Sequence, residues 1–305
     1  MPILRVHHVT SYAYRRPVGF GQHRLLFRPR DSYDQRLLST SLVVFPQPSD
    51  VFWIHDVFGN CVAVTEFAAS SDHLRFETDI VLDHTPQLRL HFRTDEDAKH
   101  WPFIYDAEEM PDVAPYLRRQ YPDDDGLTET WARKFINPNG KTETAHLLET
   151  MTRAIKADFK YNRRSNPGTQ TPEMTLYSLS GTCRDFALLM MEAMRALGFA
   201  ARFVTGYIYS ASRDTHEHLG GGATHAWVQV FLPGAGWVEF DPTNGIMGNR
   251  DLIRVGVARD PKQAIPLWGS HTGTRHDSLG MTVQVHVTTT VAPITPVPVS
   301  PTHAN

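Results

Sequence analysis

The stretch "GTCRDFALLMMEAMRALGFAARFVTGYI" sets a long helix-periodic segment directly against a strand-like one. Phe186, Met190, Ala193, Met194 and Leu197 recur at helical spacing and share one face. Thr182 is a good N-cap, Asp185 follows three residues later in a capping-box pattern, and Gly198 is placed to end the helix. A helix with an apolar stripe must bury it. The segments "AARFVTGYI", "THAWVQVFL" and "GWVEFDP" supply strands for it to pack on. The pattern predicts an α+β unit, with one helix lying on an antiparallel sheet.

The rest of the chain divides by composition. Residues 1–85 read as a β-rich domain. "LRVHHVTSYAY" is β-branched and aromatic, "LSTSLVVFPQP" is a strand stopped by prolines, and "VFWIHDVFGNCVAVTEF" is two strands around Phe58-Gly59-Asn60. Leu74, Phe76, Ile80 and Leu82 alternate as in a half-buried strand. Residues 86–145 read as a helical connecting region, with Leu127, Trp131 and Phe135 on one face before Asn137-Pro138. Residues 146–292 form the core. It opens on a helix with a stripe of Leu147, Leu148, Met151 and Ile155, and closes on the strand "MTVQVHVTTTV". Residues 243–280 read as irregular, and the proline-rich 293–305 as a disordered tail.

Bulk properties exclude several functions. A formal net charge of −3 gives no electrostatic case for nucleic acid or an anionic membrane surface. No apolar run approaches the roughly 18 residues of a membrane helix. The opening "MPILRVHHVTSYAYRRP" lacks the pattern of a signal peptide. Two cysteines, Cys61 and Cys183, make no disulfide framework and no Cys-x-x-Cys motif, so a reducing cytoplasm is the expected location.

Cys61 lies in an apolar strand and reads as an inert residue. Cys183 is the first residue of the helix, where unpaired N–H groups and the helix dipole favour an anion. A thiol held there beside a cation ionises more readily, and the same N–H groups can stabilise an oxyanion. From the helix alone, Cys183 is either a buried apolar residue or a nucleophile.

A nucleophilic thiol needs a base, and the base needs an orienting group. His225 opens the strand after a glycine-rich loop, and Asp241 ends the partner strand before Pro242. If "PGAG" turns a hairpin, the two share a face only with an odd-numbered loop or a bulge; a three- or five-residue loop with Gly236 in the left-handed region suffices. A two-residue turn would place them on opposite faces.

Together, "GTCRDFALLMMEAMRALGFAARFVTGYI" and "THAWVQVFLPGAGWVEFDPTNG" resemble the bacterial transglutaminase-like branch of the papain-like thiol superfamily, in the order Cys, His, Asp. "SYAYRRPVGFGQHRLLFRPRD" and "HDVFGNCVAVTEF" resemble the β-rich N-terminal domain of that branch. The resemblance implies a papain-like α+β core behind a β-rich N-terminal domain, and a catalytic triad of Cys183, His225 and Asp241. It also implies a thioester formed from a peptide or protein amide, and no cofactor. Hydrolysis of an amide or peptide bond is the leading expectation. Acyl transfer to an amine and a non-catalytic binding module are the alternatives. A zinc site from His216, His218 and His225 is weak, because the His-Glu-x-x-His spacing is absent. Gly220–Gly222 read as a hinge for that loop, and His7-His8 as structural strand residues. The oligomeric state is not written in the chain.

Overall fold

The computed structural model describes residues 3–86, 93–162, 168–209 and 222–290. In chain order the elements are β1 (Ile3–Val18), β2 (His23–Leu25), β3 (Gln35–Phe45), β4 (Asp50–His55), β5 (Cys61–Glu66) and β6 (Ser71–His84). Then come β7 (His100–Trp101), α1 (Met110–Leu117), α2 (Leu127–Arg133), β8 (Thr142–Glu143), α3 (Thr144–Asp158), β9 (Lys160–Tyr161), α4 (Pro172–Ser178), β10 (Ser180–Gly181) and α5 (Cys183–Ala196). The last described elements are β11 (Ala201–Ile208), β12 (His225–Leu232), β13 (Gly236–Asp241), β14 (Ile246–Met247), β15 (Leu252–Ala258), β16 (Leu267–Trp268) and β17 (Ser278–Thr290).

Two four-stranded sheets build the N-terminal part, ordered β17-β1-β6-β3 and β16-β2-β5-β4. The alternation read in β6 is real, with Leu74, Phe76, Ile80 and Leu82 almost wholly buried. The β4–β5 turn is held by Asp56, whose carboxylate accepts from the N–H groups of Phe58 and Asn60. Gly59 sits there at φ +72°, a left-handed position.

The core is a five-stranded antiparallel sheet, β14-β13-β12-β11-β15, with α5 against β11 and β12. The expectation of one inward stripe on α5 is too narrow. Arg184 is half-buried, and every residue from Asp185 to Arg195 is buried. The reason is position: α2, α3 and α4 cover the side of α5 turned away from the sheet. Near its C-terminal end two charged residues are internal as well, covered by Tyr116, Gln120, Tyr121, Ala201 and Arg259. Glu192 and Arg195 form a fully buried ion pair at 2.7 Å. The Arg195 guanidinium also donates to the carbonyls of Tyr116, Ala201 and Arg259, and Glu192 accepts from the N–H groups of Gln120 and Tyr121. Removing one member strands the other charge in the interior. Glu192→Ala should lower the unfolding free energy by about 3–5 kcal/mol, read as a shift in the urea midpoint at unchanged slope.

Two sequence-based assignments need correction. The strand Ser278–Thr290, placed with the core, instead pairs along its length with β1 and extends the N-terminal sheet. Its exposed alternation fits a sheet edge, and nothing local distinguishes one sheet's edge from another's. The region read as irregular contains β15, which pairs with β11. Of its seven residues only Arg254 is half-buried, so burial on both faces erases the period-2 signal. The 86–145 region is also bound closely to the core. The Trp101 indole N–H donates to Leu197 O, and the Tyr105 hydroxyl donates to Phe231 O and accepts from Ala200 N–H.

Candidate active site

Cys183 begins α5 and is 6% exposed. The turn before it is pinned by one carboxylate. Asp185 accepts from the Thr182 N–H and hydroxyl at 2.8 and 2.9 Å, and from the Gln170 N–H at 2.7 Å. Gly181 allows this closeness, since a Cβ there would lie 2.8 Å from Asp185 Cβ and 3.2 Å from the Phe186 ring. Two residues earlier, Leu179 has φ +46°, unique among the described non-glycine residues. The backbone that delivers the thiol is therefore held in a form it would not otherwise take. Gly181→Ala should cost about 1–3 kcal/mol through overpacking, with loss of thiol reactivity as the more sensitive readout.

His225 is the first residue of β12 and Asp241 the last of β13. Leu232 pairs with Gly236, leaving a three-residue loop of Pro233, Gly234 and Ala235, with Gly236 at φ +72°. That odd count sets His225 diagonal to Asp241 on one face. The ring Nε2 lies 2.9 Å from Asp241 Oδ2, with both side chains fully buried. Asp241 is itself saturated: Oδ1 accepts from the N–H groups of Thr243 and Asn244, and Oδ2 from Asn244 Nδ2 at 2.8 Å. Lys156 Nζ donates to Asn244 O, tying this turn to α3. The Trp227 ring stacks against the imidazole, with ring centres 5.9 Å apart.

The charges follow from these contacts. Burial opposes a charged imidazole, but the Asp241 carboxylate, its hydrogen bond and the Cys183 thiol outweigh burial and push the His225 pKa up to about 10. Burial also opposes the Asp241 carboxylate. The His225 charge and the hydrogen bonds from His225, Asn244 and Thr243 prevail and hold it below the usual carboxylate range. With Nε2 committed to Asp241, Nδ1 is the nitrogen left for the thiol. It has no hydrogen bond of ordinary geometry, although Cys183 is near enough to favour the imidazolium. Such a contact is looser than a closed bond, as resting thiol–imidazole pairs often are.

The structure thus brings together the three residues read from the chain. The sequence reading missed Asn244, Gly181 and Trp227. "DPTN" and "SGTC" carried a signal for the first two, as a polar residue and a glycine within three positions of a candidate. His216, His218, Gly220 and Gly221 lie outside the described residues. Cys61 is half-buried, with its Sγ 3.6 Å from His55 Nε2 across the β4–β5 ladder. Among the described residues, His7, Glu77 and Asp79 form a group of metal-ligating type on β1 and β6. Arg5 and Arg75 already pair with Asp79 and Glu77, so that group is balanced internally.

A buried Cys/His/Asp set, carried by a helix N-terminus and two strand ends of an α+β fold, defines a class of papain-like thiol proteins. Residues 4–83 match the bacterial transglutaminase-like N-terminal region, and residues 129–242, which hold all three side chains, match the transglutaminase-like superfamily. An uncharacterized protein of Mycobacterium tuberculosis is 26% identical over 294 residues, covering 92% of this chain and 91% of the relative. One of Mycobacterium leprae is 33% identical over 110 residues, covering 36% and 39%. The crystal structure of a candidate cysteine protease from Cytophaga hutchinsonii shares the fold, with a TM-score of 0.69 at 19% identity over 97% of this chain and 93% of that one. The chain belongs to the transglutaminase-like superfamily and carries its bacterial N-terminal region.

Proposed function

We propose that the protein is a thiol enzyme that cleaves an amide or peptide bond through Cys183, His225 and Asp241. The observation that carries this reading is the buried 2.9 Å His225–Asp241 bond beside a thiol at a helix N-terminus. The sulfur of Cys183 is the nucleophile, with its proton held by His225. The thiolate attacks the carbonyl carbon of the substrate, and the N–H groups of the first turn of α5 face the resulting oxyanion. His225 gives its Nδ1 proton to the departing amine as the C–N bond breaks, leaving a thioester. Neutral His225 then takes a proton from water, the resulting hydroxide adds to the thioester carbonyl, and the carboxylic acid leaves with release of the thiolate. Asp241 keeps the ring oriented and stabilises its charged form.

Acyl transfer to an amine is the second reading. It is favoured by the burial of all three side chains, because a transferase must keep water from the thioester. Incubation with peptide amides, with and without a labelled primary amine, separates the two. Release of free acid that depends on Cys183 supports hydrolysis, whereas label incorporation that depends on Cys183 supports transfer. If the thiol reacts with iodoacetamide near neutral pH no faster than free cysteine, both catalytic readings fail and a binding module remains. The expected substrate is a peptide or protein amide, and the free thiols of Cys61 and Cys183 suit a reducing compartment such as the cytoplasm.

A further inference from the structure

A cavity of about 450 Å³ lies apart from the triad, where one face of the β16-β2-β5-β4 sheet meets the segment that follows β15. That volume is within the range of small-ligand sites, about 300–1,000 Å³. The sheet register explains the wall. Arg24 pairs with Trp268 on one side and Val64 on the other, and Val62 pairs with Ile54. Arg24, Trp268, Leu26, Val62 and Ile54 therefore share a face. Lys262, Gln263 and Ile265 close the cavity from the opposite side.

The chemistry of the lining is lopsided. Its apolar groups include two that remain well exposed, Trp268 at 56% and Ile265 at 41%. Its two cations have no carboxylate partner among the described residues. Arg24 makes only long contacts to Gln22 Oε1, at 3.4 and 3.5 Å, and Lys262 Nζ lies over the Tyr121 ring at 5.6 Å. The one acid of the lining, Asp56, is occupied by its own turn, accepting from the N–H groups of Phe58 and Asn60 and from Asn60 Nδ2. An apolar cleft with two unpaired cations and one acid engaged by its own turn keeps a net positive charge, and complements an apolar group that bears a carboxylate.

We propose that this cleft is a second binding site, and that its occupant is the C-terminal residue of a peptide: an apolar side chain on the sheet face, with the terminal carboxylate between Arg24 and Lys262. The site is not isolated from the thiol. The Arg184 guanidinium donates to Pro261 O and Ala264 O, the carbonyls on either side of Lys262 and Gln263. The residue after the nucleophile therefore holds the far wall of the cleft in place.

Binding is measured on Cys183→Ala protein, so the result is independent of any turnover at the triad. The probes are an N-acetylated tripeptide ending in phenylalanine and its C-terminal amide, titrated while the Trp268 indole resonance is followed by NMR. N-acetylphenylalanine serves as the small-acid control. The proposal expects saturable perturbation of Trp268 by the peptide acid, with the amide at least about tenfold weaker, as loss of charge-assisted bonds requires. The acid should weaken as salt is raised. The Arg24→Gln/Lys262→Gln double variant, altered only at exposed positions, should bind acid and amide alike. Equal binding of acid and amide by the unaltered cleft would overturn the proposal. So would an unchanged preference in the double variant, failure to saturate in the millimolar range, or tighter binding of N-acetylphenylalanine than of the peptide acid.

Discussion

Cys183→Ala should reduce amide turnover on the order of 10⁶-fold while the fold persists, leaving only what binding and oxyanion stabilisation lend to attack by water. The size of the loss follows from the division of labour. His225 and Asp241 do nothing to a carbonyl by themselves, and the helix N-terminus can only stabilise an oxyanion that a nucleophile has made. The fold should survive because the change removes one buried sulfur from the first residue of α5 and leaves the Thr182–Asp185 bonds intact. Near-ultraviolet circular dichroism and the urea midpoint report the fold, and single-turnover assays on a peptide amide report the chemistry. Residual turnover within about a hundredfold of wild type would move the nucleophile elsewhere. In that case Cys61, 3.6 Å from His55, is the next thiol to test.

Asp241→Ala should lower kcat/KM by roughly 10²–10³-fold, short of the loss expected for the thiol itself. Two effects combine. The Asn244 amide, the Thr243 and Asn244 N–H groups and the His225 ring all lose their acceptor. The Asp241 charge that raises His225 also disappears, leaving burial opposed only by Cys183, so the ring moves toward the neutral form. Asp241→Asn separates the two effects, because the amide oxygen can still accept from the ring. It should retain more activity than Asp241→Ala, with the alkaline limb of the pH–rate profile moved to lower pH in both. If turnover runs through the proposed imidazolium, wild-type activity should hold until the pH nears about 10. An alkaline limb that stays in place in Asp241→Asn would remove the carboxylate from the catalytic assignment.

The same pair makes a prediction for stability. His225 is raised from 6.5 to about 10 by folding, so its contribution is fully present below pH 6.5 and is lost as pH rises through about 10. Asp241 is depressed, so its contribution is present above the ordinary carboxylate range and is lost on acidification. Stability of the wild-type chain should fall at both ends. In Asp241→Asn the acid component from this residue vanishes and the alkaline component shrinks. Thermal melting across pH reads both.

Much of the site was legible in the chain because it depends on local patterning. The capping residues Thr182 and Asp185 set Cys183 at the start of a helix. The count of residues in Pro233–Ala235 decides the parity of His225 and Asp241, and a three-residue loop is among the forms that "PGAG" encodes. Leu74 to Leu82 and Leu147 to Ile155 announced their elements by period alone. β15 failed the same test, since a strand buried on both sides has no alternation to read.

What the chain could not supply is distance through space. The burial of α5 comes largely from α2, α3 and α4 closing over it, whereas Glu192 and Arg195 are made internal by Tyr116, Gln120, Tyr121, Ala201 and Arg259. Strand Ser278–Thr290 finds β1, more than 250 residues away in sequence, because an edge of matching length and exposure was open there. The pKa of His225 is likewise a tertiary property, fixed by a buried carboxylate and thiol whose fields act at full strength only where water is excluded. Local periodicity and capping wrote the helix, the hairpin and the order Cys, His, Asp. Packing alone decided which sheets the strands joined, and made a buried ion pair of His225 and Asp241.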